Sequence, residues 1–265
     1  MEVGKRNIEW ARLSTNPISG CNGPDGERCY FCYAERIANR FAKVWGYPEE
    51  DPFIPLFHPE RLEHIRRRKI PTIYFFGSMC DWLDDGVKPE WRRECLEVMA
   101  ENNRHIFITL SKQYKNLWKV AYDSPDGKVP WNVWVGASVC YRSQVWGIDE
   151  LRKVDCSVRF VSFEPLKEDL SVVDLKGIDW TIIGAQSKQN GIGNLPSVPY
   201  FRPEKSWVRK LVYKARTAET AQRIIEHRDP MPVFLKPNLG DYVSDGWFTE
   251  KLEEMPDPME HAPEA

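Results

Sequence analysis

The chain has 265 residues, of which 42% are hydrophobic, and a formal net charge of −2. This length suits one large domain with a single core, and the near-neutral charge excludes a global field that would recruit nucleic acid or an anionic membrane. The chain opens MEVGKRNIEW, without an apolar signal segment, and no later run approaches the length that spans a bilayer. We therefore expect a soluble, cytoplasmic protein that makes no membrane contact.

The first predicted strand, Ala11–Ile18, leads into a loop that carries three cysteines, Cys21, Cys29 and Cys32. Proline and glycine fill the wider of the two gaps between them, as is typical of a loop. After Cys32, apolar residues recur at three- and four-residue spacings, which predicts a helix. The chain has seven cysteines and no export signal, so metal or redox chemistry is favoured over a disulfide framework.

Three thiolates are one fewer than a closed tetrahedral metal site requires. Structural zinc normally has four Cys or His ligands, whereas an iron–sulfur cluster held by three cysteines leaves one iron open to an exogenous ligand. No histidine lies in the loop, and the nearest one is His58. The spacing leaves three interpretations open: a [4Fe–4S] cluster with one labile iron, a zinc knuckle completed by a distant residue, and buried thiols that bind nothing.

The rest of the chain alternates between strands and helices. Continuous apolar runs, typical of strands buried on both faces, predict strands at Thr72–Phe76, His105–Ser111, Asn132–Val139, Val158–Phe163, Trp180–Gly184 and Pro232–Lys236. Helical patterns lie between them, at 59–68, from Pro89 to Met99, and at 114–122, 144–154 and 206–226. This alternation predicts a parallel sheet, and its regular recurrence favours a single α/β domain over residues 1–240, a full or partial (β/α) barrel with six to seven parallel strands. Residues 241–265 are acidic and rich in proline and are predicted to form a weakly ordered extension.

Polar residues follow the predicted strands at their carboxyl ends. In (β/α) barrels the catalytic and binding groups come from this rim, and the cysteine loop follows the first strand, so it belongs to the same rim. The rim candidates outside the cysteine loop are Gly77, Ser78, Cys80, Asp81, Ser111, Lys112, Ser138, Cys140, Ser162, Glu164, Gly184–Ser187 and Lys236.

The cysteine loop resembles the cluster loop of radical S-adenosylmethionine enzymes, in which a C-x-aromatic-C segment corresponds to Cys29–Cys32 here. The first gap is seven residues, where three is the commonest spacing in that superfamily. The segments NPISGC…CYFCYAER, FFGSMCD, VWVGASV, RFVSFEPL, IDWTIIGAQS and VFLKPNLG resemble the phage- and prokaryote-borne three-Cys-motif family of radical-SAM-like proteins. Cys80, Cys140 and Gln186 depart from the residues usual in that family.

The resemblance implies that Cys21, Cys29 and Cys32 hold a [4Fe–4S] cluster and that S-adenosylmethionine chelates the fourth iron. It further implies that a 5′-deoxyadenosyl radical abstracts hydrogen from a substrate, with an external electron donor of the flavodoxin or ferredoxin type. The residues implied at the cofactor are Phe31 near adenine, Gly77 and Ser78 near the amino group, Ser138 and Glu164 at ribose or the methionyl group, Gly184 beside adenine, and Lys236 at a carboxylate.

Cys80 and Cys140 are candidate catalytic residues, because a thiol can donate a hydrogen atom to a substrate radical or bind an auxiliary metal. The alternative is that both are small apolar residues that pack at the rim. Glu164 and Lys236 likewise could be a helix-starting carboxylate and a solvated strand end.

Nucleic acid or a peptide is the expected substrate class. Two basic segments, Arg66–Lys69 and the helix that carries Lys205 and Arg209, could follow a phosphate backbone, although the pattern favours a solvated helix face. Two rival functions stay open: a non-enzymatic zinc or iron–sulfur module for nucleic-acid or redox sensing, and a barrel enzyme that uses Glu164 and Lys236 without a cluster.

Overall fold

The computed structural model describes residues 10–170, 173–184 and 233–235, together with Pro256. The strands are β1 (Leu13–Thr15), β2 (Ile18–Ser19), β3 (Leu56–Phe57), β4 (Ile73–Phe76), β5 (Ile106–Ser111), β6 (Val133–Ser138), β7 (Arg159–Phe163), β8 (Trp180–Ile183) and β9 (Val233–Leu235). The α-helices are α1 (Tyr33–Trp45), α2 (Glu63–Arg67), α3 (Pro89–Glu101), α4 (Lys119–Tyr122) and α5 (Trp146–Arg152). Short 3₁₀ turns lie at Pro24–Gly26, Pro59–Leu62, Tyr114–Asn116, Pro125–Gly127 and Arg142–Gln144.

The described residues fall into two compact units, 10–137 with 149–159, and 138–148 with the described part of 160–256. In the first unit β1, β4, β5 and β6 are adjacent in that order, and every pairing is parallel. Phe76 pairs with Thr15 on one side and with Thr109 on the other. The short strands β2 and β3 form a separate antiparallel pair.

Strands β4, β5 and β6 are almost entirely buried, whereas Leu13 and Ser14 of the short strand β1 are exposed. All six residues of β6 are buried, and β5 has one residue that is not. Aromatic rings fill the core between neighbouring strands: Tyr74 and Phe107 stack with their ring centroids 5.5 Å apart, and Phe76 meets Trp82 edge to face. Strands β4 to β6 therefore form a buried layer, as their continuous apolar runs predict.

The second unit contains three parallel strands, β7, β8 and β9. Phe160 pairs with Trp180, and Phe163 pairs with Ile183. The described side chains of β8 are all buried. The segment after β7 is hydrogen-bonded to the end of the next strand: the backbone N–H of Leu166 donates to the carbonyl of Gly184, just beyond β8.

Helix α1 is well defined at both ends. Cys32 has extended backbone and caps the first turn, and Gly46 ends the helix in the left-handed conformation that glycine tolerates best. Ala34, Ala38 and Ala42 form the buried face and pack with Tyr47 and Phe53. Small side chains on this face let the helix pack closely against these aromatic residues and against Cys21, Leu56 and Met79.

The predicted α/β class with parallel strands is confirmed, and closure into a barrel stays a prediction. The first predicted strand is shorter than expected, because Pro17 lacks an N–H and separates β1 from β2, which pairs elsewhere. The predicted helix at 114–122 is a 3₁₀ turn followed by the short α4. The predicted helix at 206–226 lies outside the described residues, and the domain bounds 1–240 and 241–265 also stay predictions.

Among the described helices, none combines the length and the apolar content that crossing a bilayer requires.

Candidate functional site

The cysteine loop begins at Gly20, a position that leaves no room for a side chain. Gly20 has a φ of +86°, and a Cβ added there would lie 1.9 Å from the carbonyl oxygen of Ile54. Its N–H donates to Met79 O, and the N–H of Cys21 donates to Phe53 O, both at 2.9 Å. Backbone hydrogen bonds therefore hold Cys21 between residues that follow β4 and residues that precede β3.

Arg28 joins the middle of the loop to two other segments. Its Nε donates to Cys21 O (2.9 Å), and its terminal nitrogens bind Glu35 at 3.1 Å and Asp51 at 2.6 Å. The hydrogen bond from Arg28 lowers the pKa of Asp51. Sequence reasoning missed Arg28, because nothing in a lone arginine shows that its partners lie on both sides of the loop.

Two of the three cysteine sulfurs accept backbone hydrogen bonds. The N–H of Gly23 donates to Cys21 Sγ (3.2 Å), and the N–H of Glu35 donates to Cys32 Sγ (3.4 Å). Cys32 stands at the N-terminus of α1, where the helix dipole favours negative charge. Both sulfurs therefore have a backbone donor, and Cys32 also lies at the positive end of the helix dipole.

Buried carboxylates lie beside Cys21. Asp84 is 1% exposed, and its Oδ2 lies 3.6 Å from Cys21 Sγ. Burial and then the charges of Asp81 and Asp84 raise the pKa of the Cys21 thiol. Without a bound cation this cysteine is therefore protonated at neutral pH, and a metal ion would have to displace that proton.

The cysteine sulfurs are donors of the type that a thiophilic metal prefers, but they are not assembled into a metal site. Among residues 10–170 and the other described positions, no group of three or more His, Cys, Asp or Glu side chains is gathered so that it could hold a metal ion. Cys21 and Cys32 do pack against the same apolar cluster on the inner face of α1. Ligation by all three cysteines stays a prediction, and it requires the loop to close around the bound group.

Phe31, the aromatic residue between the second and third cysteines, lies near a cation. Its ring meets Tyr30 edge to face at 5.0 Å, and Lys112 Nζ lies 6.0 Å from the Phe31 ring centroid. The backbone N–H of Lys112 donates to the buried Asp81 (2.8 Å), which fixes the end of β5. The structure thus places an aromatic face and an ammonium group together at the cysteine loop.

Hydrogen bonds fix the residues that directly follow β4. Gly77 has a φ of +84° and donates its N–H to Thr15 O (3.0 Å). The Ser78 hydroxyl is hydrogen-bonded to the Asn16 side chain, and Tyr33 OH donates to Ser78 O. Ser78 therefore already has a side-chain partner within the chain.

Cys80, which also follows β4, is half-buried, and desolvation is the main cause that raises the pKa of its thiol.

Three predicted residues of the second unit come together. The hydroxyl of Ser138 and the thiol of Cys140 both donate to Glu164 O, at 3.4 and 3.5 Å. Gly184, at the end of β8, accepts from the segment that follows Glu164. Cys140 is fully buried. Lys236 and the basic helix at 206–226 lie outside the described residues.

Lys167 is a buried amine that sequence reasoning missed. The residue is 8% exposed, and its backbone N–H donates to the backbone carbonyl oxygen of Cys140 at 3.2 Å. Burial lowers the pKa of its side chain to about 8, and the nearby Cys140 opposes this shift. The signal in the sequence was a lysine three residues after Glu164, at a strand end where the pattern already predicted site residues.

We expect Lys167→Met to stabilise the protein near pH 7 and much less near pH 10. The folded chain holds this amine at a pKa of about 8 instead of 10.5, so the unfolded chain binds more protons between those values and stability rises with pH there. At about 1.4 kcal/mol for each pKa unit, the gain at pH 7 is up to about 3 kcal/mol. Urea unfolding of both proteins at the two pH values measures it, and an equal difference at pH 7 and pH 10 would contradict the assignment.

The basic segment Arg66–Lys69 is partly engaged with its own surroundings. Arg66 binds Glu63 at 2.9 Å, and Arg68 Nε donates to Thr72 Oγ1 at 2.5 Å. Arg67 is 81% exposed and lies 3.7 Å from Glu63. These contacts favour the solvated helix face over a continuous phosphate-binding stripe.

Comparison with known proteins returned one family. The model of a family described as "Protein of unknown function (DUF5131)" matches residues 5–222. No curated protein matches the chain, and no solved structure matches it.

Proposed function

The chain belongs to the DUF5131 family, proteins of unknown function, and we propose on the evidence of its cysteine loop that it is a radical S-adenosylmethionine enzyme. Cys21, Cys29 and Cys32 would hold the [4Fe–4S] cluster. The cluster and S-adenosylmethionine would together supply a 5′-deoxyadenosyl radical for hydrogen abstraction, after one electron from a flavodoxin- or ferredoxin-type donor.

The observation that carries this proposal is the cysteine loop at the entrance of α1. It offers three soft donors and no histidine, and two of its sulfurs accept backbone N–H groups. Hydrogen bonds to sulfur stabilise thiolate ligands and tune cluster potential. Three donors leave the open coordination position that this chemistry requires.

The residues around the loop have the properties that a bound nucleoside with an amino-acid tail needs. Phe31 presents an aromatic face, and Lys112 offers a cation for a carboxylate, 6.0 Å from that ring. Gly77 and Ser78 would present backbone groups to the amino end. Ser138, Glu164, Gly184 and Lys236 remain candidates for the ribose, adenine and carboxylate contacts, and closure into a radical-SAM-type barrel belongs to this proposal.

Hydrogen abstraction needs a substrate held close and water kept out. Cys80 and Cys140 are the candidate thiols for returning a hydrogen atom to a substrate radical. Desolvation raises the pKa of the Cys80 thiol, and the protonated thiol is the form that donates a hydrogen atom. The expected substrate classes are nucleic acid and peptide.

One observation favours a second candidate function, a zinc-binding module. Asp84 places a carboxylate oxygen 3.6 Å from Cys21 Sγ, and an oxygen donor could complete three thiolates to a closed tetrahedral site. Such a site would have no open position and would order a binding surface.

Anaerobic reconstitution with iron and sulfide separates the two functions. We expect a brown protein that binds about four irons per chain, as a [4Fe–4S] cluster does, and forms 5′-deoxyadenosine from S-adenosylmethionine and dithionite, measured by liquid chromatography and mass spectrometry. The outcome that contradicts the enzyme is a colourless protein with one tightly bound zinc per chain and no 5′-deoxyadenosine.

A further inference from the structure

The carboxylate of Asp84 accepts hydrogen bonds from several segments around Cys21. Its Oδ2 accepts from the backbone N–H of Asn22 (2.9 Å), from Gln113 Nε2 (3.1 Å) and from the Cys21 thiol (3.6 Å). Its Oδ1 accepts from Asn22 Nδ2 (2.9 Å) and from the N–H of Gly86 (2.8 Å). Five donors thus converge on a side chain that is 1% exposed.

Gln113 extends this network to the interior of the cysteine loop. Its Nε2 donates both to Asp84 and to Gly23 O (2.9 Å). The segment that carries Gln113 is itself fixed, because its N–H donates to Ser111 Oγ (2.9 Å) and Ser111 donates to the buried Asp81 (2.7 Å). The carboxyl ends of β4 and β5 therefore hold residues 21–23 through two side chains.

Only a carboxylate can fill this position without conflict. An ionised carboxylate accepts at both oxygens and donates nothing. Either orientation of an asparagine amide would direct its NH₂ group at N–H donors, on the Oδ2 side at Asn22 and Gln113 or on the Oδ1 side at Asn22 and Gly86. Buried donors that lose their acceptor are costly, so residues 21–23 would shift.

We propose that Asp84 is the positioning residue of the cysteine loop, holding Cys21 through Asn22 and Gln113 in the place where a thiolate ligand is needed. The ligand part of this inference rests on the proposed function. The holding of Cys21 by Asp84 does not, because every contact involved lies within the chain itself.

The test compares Asp84→Asn with Asp85→Asn in the full chain. Asp85 is the matched control: it is the adjacent carboxylate, its side chain is 82% exposed, and it binds Lys119 at 2.7 Å instead of the cysteine loop. The first readout is the rate at which iodoacetamide alkylates Cys21 in the metal-free protein, followed by peptide mass spectrometry with Cys156 as internal reference. The second is iron uptake and the electron paramagnetic resonance spectrum of the reduced cluster.

We expect Asp84→Asn to speed alkylation of Cys21 about tenfold, and Gln113→Leu, which leaves the charge of Asp84 in place, to speed it too, because residues 21–23 lose a buried hydrogen-bond partner in each variant. We expect iron affinity to fall about 10- to 100-fold, as for other outer-shell partners, with a changed resonance spectrum in the cluster that remains. Asp85→Asn should match the wild type in all three. Equal behaviour of Asp84→Asn and Asp85→Asn overturns the inference.

A replacement variant and one further result complete the test. If Asp84→Asn fails to fold, as judged by circular dichroism, Gln113→Leu takes its place, and an unchanged alkylation rate at Cys21 then overturns the inference. If the wild type takes up no iron while Asp84→Asn still speeds alkylation, the proposed function fails and the positioning of Cys21 stands.

Discussion

Replacing Cys21, Cys29 or Cys32 with serine is expected to abolish 5′-deoxyadenosine formation and to leave the reconstituted protein without a stable cluster. In the proposed cluster each cysteine would supply one of three protein ligands, and a serine oxygen is a poor donor to iron in a site of thiolates. We expect the rate to fall at least about a hundredfold, more than the 10- to 100-fold cost of losing an outer-shell partner. Iron and sulfide content and product formation measure the effect.

Cys156→Ser is the matched control for this series. Cys156 is also half-buried, and its thiol donates to Val158 O at 3.4 Å. It has no place in the proposed site, so iron content and turnover should stay at the wild-type level. Full turnover in any one of the three loop variants would contradict the three-cysteine cluster, and a single zinc lost in parallel with each cysteine would favour the zinc module.

Breaking the ion pair between Arg92 and Asp123 is expected to cause the largest loss of stability from a single substitution. Arg92 Nε lies 2.6 Å from Asp123 Oδ2, and the two side chains are 3% and 1% exposed. Arg92 also donates to Val87 O at 2.6 Å, which ties the start of α3 to the loop before it. Arg92→Leu removes the buried partner of Asp123 and leaves this carboxylate with Arg93, a half-exposed side chain whose Nε lies 3.4 Å away, so the change should cost toward the low end of about 3–5 kcal/mol.

Urea denaturation monitored by tryptophan fluorescence measures this cost. The double variant Arg92→Leu with Asp123→Leu should recover part of it, because no buried charge is then left unpaired and Arg93, which also pairs with Asp123, is half-exposed to water. Asp149→Asn is the control, since it breaks an ion pair with Arg152 in which Asp149 is 68% exposed, and it should cost about 0–1 kcal/mol. Equal losses for the buried and the exposed pair would contradict the assignment.

Part of the candidate site could be predicted because its signals are local. The start of α1 at the third cysteine follows from the apolar spacing after Cys32, and the structure begins the helix at Tyr33. The polar strand ends Ser138 and Glu164 were predicted one by one, and the structure brings them into contact. The same reasoning placed Ser78 at an open rim, whereas its hydroxyl is bound to Asn16, 62 residues earlier.

The amino-acid sequence by itself determined the alternation of strands and helices, the burial of the parallel strands and the soft-donor chemistry of the cysteine loop. These follow from periodicity and residue type within short windows, where neighbouring residues set the preference. Only the tertiary structure decided which groups surround Cys21. Asp84 and Gln113 lie 62 and 90 residues from the loop atoms that they hold, and no local pattern encodes a contact that arises when separate strand ends meet at one edge of a sheet.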